Sequence, residues 1–132
     1  MRAILASGRP FVSRGDDSGT HRAERRLWKA AGVEPPRSAA YREAGQGAAQ
    51  TLLVASERRA YTLVDDGTFA ALAPRVDLVP LVRGDPRMRN RYAVLWRSPA
   101  GERFARFLQS AAARRLMPPQ FEPEGDSRPA MR

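Results

Sequence analysis

A chain of 132 residues with 42% hydrophobic content fits one domain of ordinary size, able to bury a two- or three-layer core. It has no cysteine and one histidine, His21, which excludes disulfides, cysteine-based metal sites and histidine-rich metal sites. The net charge of +9 invites a nucleic-acid partner. However, Lys29 is the one lysine among 23 basic residues, and the arginines are spread from Arg2 to Arg132 with no run longer than two, so no nucleic acid is expected.

In chain order, Met1 to Gly8 starts like a signal peptide, but its apolar part is too short and folded-looking sequence follows directly. No stretch approaches the ~20 apolar residues of a membrane span. Residues 2–8 read as the end of a helix stopped at Gly8, and residues 11–13 as a short strand. A helix capped by Asp17 or Ser18 runs to Ala31, with Ala23, Leu27 and Ala30/Ala31 as its apolar stripe. Residues 34–38 connect it to a short mixed stretch, 41–44. A second helix over about 46–58 turns Ala49, Leu52, Leu53 and Ser56 to a sheet. Residues 61–64 read as a strand, then a turn and a short helix through Leu72. Residues 76–82 are the strongest apolar strand, with Pro80 placing it at an edge or bulge, and residues 92–96 are another. A last helix runs from about Pro99 to Met117, with Phe104, Phe107 and Leu108 on one face. The tail 118–132, rich in Pro, Glu, Gly, Ser and Arg, is expected to be disordered. Alternating helices and strands predict an α/β fold with a central sheet of mixed direction.

The chemistry concentrates in Ser13-Arg14-Gly15-Asp16-Asp17-Ser18-Gly19-Thr20. The run reads as a strand end, a tight polar loop and a first helical turn, and unpaired N–H groups at a helix start form a natural oxyanion cradle. Arg14 adds a planar, permanently charged fork. Ser13, Ser18 and Thr20 add hydroxyls, and Gly19 adds backbone N–H. Ser13 and Ser18 serve either the anion or a local cap. Asp16 and Asp17, which would repel a dianion, cap the helix or orient Arg14. Gly45-Gln46-Gly47 either presents N–H groups to a ligand or packs a helix against the sheet. His21 reads as a helix-surface histidine, and Trp28, Tyr41, Tyr61 and Trp96 as core or interface aromatics. No catalytic or metal-ligating set is expected.

These residues resemble a known family. The run 13–20, with Leu27-Trp28-Lys29-Ala30-Ala31-Gly32, Tyr41-Arg42-Glu43-Ala44-Gly45-Gln46-Gly47, Ala60-Tyr61-Thr62-Leu63-Val64-Asp65, Leu78-Val79 and Gly84-Asp85-Pro86-Arg87, is similar to the periplasmic tungstate-binding proteins of bacterial ABC transporters. The resemblance spans about residues 2–117. It implies a type II periplasmic binding-protein fold, in which two α/β lobes close over an oxyanion, and places this chain mainly in the second lobe plus the return helix to the first. It implies no cofactor and no enzymatic activity, with tungstate or molybdate as ligand and an ABC permease and its ATPase as partners. Arg14 and Thr20 match oxyanion-contacting positions. The family's Gly-Gln-Gly-Met stands here as Gly45-Gln46-Gly47-Ala48, and its Asn-Pro-Tyr as Asn90-Arg91-Tyr92.

No segment corresponds to the family's leader or first-lobe anion loop. The expectation is therefore an incomplete lobe over 1–117, with the missing lobe encoded upstream. Localisation is periplasmic or extracellular by resemblance, and cytoplasmic if the chain is made as written. The alternatives are a truncated product with a stable fold and no transport role, a basic nucleic-acid-binding domain, and a phosphoryl-transfer domain using Arg14. The last lacks a phosphate-loop lysine and a base near the motif.

Overall fold

The computed structural model describes residues 1–36, 38–90 and 93–117. Contacts divide the chain into two compact units between Asn90 and Arg91. In the first unit, strands β1 (Phe11–Ser13), β2 (Tyr41–Glu43) and β3 (Tyr61–Thr62) form a sheet in the order β2-β1-β3. Both pairings are parallel, with Phe11 opposite Tyr41 on one side and Tyr61 on the other. The expected mixed sheet is thus a parallel one, and all three residues of β1 are buried, as a central parallel strand covered on both faces requires.

Because strand side chains alternate, Phe11 and Val12 face opposite helices. Phe11 meets Trp28 of α2 (Gly19–Ala30) edge-on at 5.5 Å and stacks on Tyr41 at 5.9 Å. Val12 packs with Ala55 of α3 (Ala48–Glu57), Ala60 and the half-buried Val54 and Leu78. On α2 the buried residues are His21, Ala23, Glu24 and Trp28. Leu27 is half-buried and Ala30 exposed, so the buried stripe is set by Trp28. His21 belongs to it and is no surface histidine. On α3 Leu52 is buried as expected, but Thr51 and Ala55 join it and Ala49 is exposed. Helix α1 (Arg2–Ala6) ends ahead of Gly8 at φ +64°, and α4 (Asp66–Leu72) is capped by Asp65, which accepts from the Thr68 N–H at 2.8 Å.

Two expected strands are corrected. Residues 76–82 make no ladder; only Leu78 reaches the core, while Val79, Leu81 and Val82 are exposed. Pro80 has no N–H to give a neighbour, and β3 offers only two residues at that edge. Conversely, Tyr41 to Glu43 is a strand despite its polar composition, because Tyr41 stacks on Phe11.

In the second unit, residues 93–96 form no strand, and Tyr92 and the 118–132 tail lie outside the described residues, as does Arg37 of the first connection. The single last helix is two helices, α5 (Pro99–Leu108) and α6 (Ala111–Leu116). The chain breaks at Ser110, whose extended backbone and hydroxyl cap α6 by accepting from the Ala113 N–H. Phe104 and Phe107 are exposed and Leu108 half-buried. Trp96 is exposed as well, against its expected place in a core or interface.

Candidate functional site

Parallel strands all point their carboxyl ends to one edge. With the order β2-β1-β3, the connections from β1 and β3 diverge at that edge, the switch point where open α/β sheets place ligands. The loop after β1 is zipped to the loop after β2: the Ala44 N–H donates to the Ser13 carbonyl and the Gly45 N–H to the Arg14 carbonyl, both at 2.8 Å. Gly15 makes this approach possible. It sits at φ +62°, and a Cβ there would lie 2.6 Å from Glu43 Cβ.

Within the loop the two aspartates are both engaged. Arg14 donates from Nε (3.1 Å) and Nη2 (2.5 Å) to Asp16 Oδ2, and Asp16 Oδ1 accepts the Ser18 N–H at 3.2 Å. Partial burial pushes the Asp16 carboxyl up, but hydrogen bonds from the Ser18 hydroxyl, Arg14 and the Ser18 N–H outweigh it and bring it down to about 2. Asp17 stands at φ +54°, a left-handed conformation uncommon outside glycine. Its carboxylate pairs with the Arg22 guanidinium, which holds its pKa below the usual range. Its N–H donates to Nδ1 of His21 at 3.0 Å. Ser18, one of the two expected caps, is the N-cap of α2 and accepts the His21 N–H at 3.3 Å.

Once these bonds are counted, a donor set is left over. The N–H groups of Gly19 and Thr20, the Thr20 hydroxyl and the Arg14 Nη1 bond to no other described residue. All but Nη1 belong to the first turn of a 12-residue helix, where the macrodipole favours negative charge. Ser13 is fully buried, and its Oγ has no hydrogen-bond partner among the described residues. Ser18 is committed to the cap and the Asp16 contact. Of the second glycine-rich stretch, the Gly45 N–H is consumed by Arg14, and the Gln46 and Gly47 carbonyls accept the Thr51 hydroxyl.

Two residues at this end of the fold were not legible as such. Glu24 is buried, accepting from Trp28 Nε1 at 3.2 Å and from the Tyr41 hydroxyl at 2.8 Å. Burial, reinforced by Glu24, pushes the Tyr41 phenol well above its ordinary pKa. The i,i+4 spacing of Glu24 and Trp28 is the one sequence signal for this bond. Asn90 packs over the helix start, its amide oxygen 3.0 Å from where a Gly19 Cβ would stand, so position 19 admits only glycine without a shift. An open cavity of about 600 Å³ is lined by Glu34, Pro35, Pro36, Ser38, Tyr41 and Glu43, and its two carboxylates make it unsuited to an anion.

Fold and junction define a class, and the comparisons agree with it: residues 4–112 match the PBP superfamily domain, and the chain belongs to that superfamily. It has the periplasmic binding-protein-like fold expected from its sequence. Among curated proteins it is 46% identical over 102 residues to a Haloferax volcanii protein described as an ABC transporter anion-binding protein, covering 74% of this chain and 30% of that one. It is 40% identical over 85 residues to the tungstate-binding protein TupA of Peptoclostridium acidaminophilum, covering 64% of this chain and 29% of the relative. The solved tungstate ABC transporter structure from Geobacter sulfurreducens aligns with a TM-score of 0.70 at 34% identity, over 87% of this chain and 52% of that one. The chain therefore spans about 30% of the length of these curated relatives and about half of the solved chain. These relatives are named for binding and transport, consistent with a non-enzyme. No described helix is long and apolar enough to cross a membrane, and no group of metal-binding side chains occurs among the described residues.

Proposed function

We propose that this chain is the oxyanion-binding part of the substrate-binding component of an ABC uptake transporter, acting outside the cytoplasmic membrane with tungstate or molybdate as ligand. Its partners are then the transporter's permease and ATPase, and residues 1–117 are an incomplete binding lobe. The observation that carries this reading is the leftover donor set. Asp16 braces Arg14 along the Nε/Nη2 edge, which leaves Nη1 beyond that brace, while the Gly19 and Thr20 N–H groups and the Thr20 hydroxyl open the helix. A tetrahedral dianion suits such a set: the guanidinium neutralises charge, and the hydroxyl and N–H groups saturate oxygens.

The mechanism is charge and shape matching without bond chemistry. Neutral hydrogen bonds contribute about 1 kcal/mol net and charged ones about 1.5–3 kcal/mol, so a lobe supplying one part of a cage binds weakly. Calorimetric titration of the chain with tungstate, molybdate, sulfate and phosphate tests the reading. Tungstate and molybdate should bind, Arg14→Ala should abolish binding, and Arg14→Lys should restore only part, because an ammonium lacks the fork. Equal tungstate affinity in wild type and Arg14→Ala would overturn it.

A further inference from the structure

The loop has one feature that anion binding by itself does not call for: a buried histidine tied to its backbone. Asp17 is one of two non-glycine residues with positive φ among those described, the other being Arg59. Aspartate enters the left-handed region more readily than most residues, but it needs local bonds to be held there. The exposed Asp17–Arg22 pair is of the kind that contributes little. The stronger restraint is the Asp17 N–H donating to His21 Nδ1, together with the His21 N–H donating to the Ser18 hydroxyl. These two bonds close a small ring over residues 17, 18 and 21. A backbone N–H can only donate, so Nδ1 is the lone-pair nitrogen and the imidazole proton is on Nε2.

We propose that His21 is the positioning residue of this loop: its neutral imidazole, by accepting the Asp17 N–H, fixes the left-handed turn that sets the Ser18 cap and the Asp16 brace on Arg14. The inference rests on the reading that this loop holds an oxyanion.

The test compares wild type, His21→Asn, whose Oδ1 replaces the Nδ1 acceptor without titrating, and His21→Leu, which removes it. Nitrogen-15 NMR of the ligand-free chain follows exchange of the Asp17 amide, and tungstate affinity is measured at pH 8. Asp17 should exchange about tenfold faster in His21→Leu, the equivalent of one hydrogen bond, and stay protected in His21→Asn. Tungstate affinity should fall about tenfold in His21→Leu and be retained in His21→Asn. An Asp17 amide that exchanges at the wild-type rate in His21→Leu would overturn the proposal. A wild-type chain that binds no oxyanion while Asp17 responds as described would instead overturn the proposed function and leave His21 as the clamp of the loop.

Discussion

The loops that follow β1 and β2 leave the same edge of the sheet and each opens a helix, yet they are built from different materials. After β1, four side chains, from Arg14, Asp16, Ser18 and His21, bond to one another and to the backbone. After β2, Gly45 and Gly47 carry the turn, and α3 starts at Gly47 with no side-chain cap. The first loop is fixed with its leftover donors in place before any ligand arrives; the second uses two N–H groups, of Ala44 and Gly45, to support the first. Preorganised donors need less ordering when an anion binds, and for that reason we propose the polar loop as the site and the glycine loop as its support.

The largest difference between the loops should appear on adding one methyl group. Gly15→Ala combines a left-handed backbone with a Cβ 2.6 Å from Glu43, and is expected to destabilise the fold by about 3 kcal/mol. Gly45→Ala meets nothing within 4 Å and should cost only about 1–2 kcal/mol, for its positive φ. Urea unfolding of the two variants reads the contrast, and equal losses would mean that the loops do not pack as described. Next in size, Ser18→Ala should cost about 1 kcal/mol through the lost cap, measured the same way.

Asp16 gives a smaller, pH-dependent effect. Its pKa in the folded chain, about 2, lies below its ordinary 3.8, so its contribution is fully present above the ordinary value and disappears as pH falls through that window. Thermal melts across pH 2–5 should show an acid limb that Asp16→Asn flattens. Smallest of all, Gly47→Ser should gain a few tenths of a kcal/mol by giving α3 the cap that α2 already has.

What could be read from the sequence was the local chemistry. Ser18 as a cap, Gly8 as a helix stop at positive φ and Asp16 turned onto Arg14 all follow from residues within a few positions of one another. Sheet membership was misread where it depended on distant partners. Residues 76–82 have the apolar pattern of a strand, but β3 offers an edge of only two residues, whereas Tyr41 to Glu43, polar and short, is a strand because Phe11 lies thirty positions earlier to stack on it. Glu24 escaped notice because one of its two donors, Tyr41, is 17 residues away. His21 looked like a surface residue because its role is to accept a backbone N–H, which leaves no mark in composition.

The central claim is that an oxyanion binds at the polar junction through Arg14 and the first turn of α2. The most direct measurement is chemical-shift mapping of a nitrogen-15 labelled chain during a tungstate titration. The account predicts the largest shifts at the Gly19 and Thr20 amides and the Arg14 Nε–H, saturating together, with the Asp17 amide moving less. Shifts scattered over the many surface arginines, or none at Gly19 and Thr20, would contradict it.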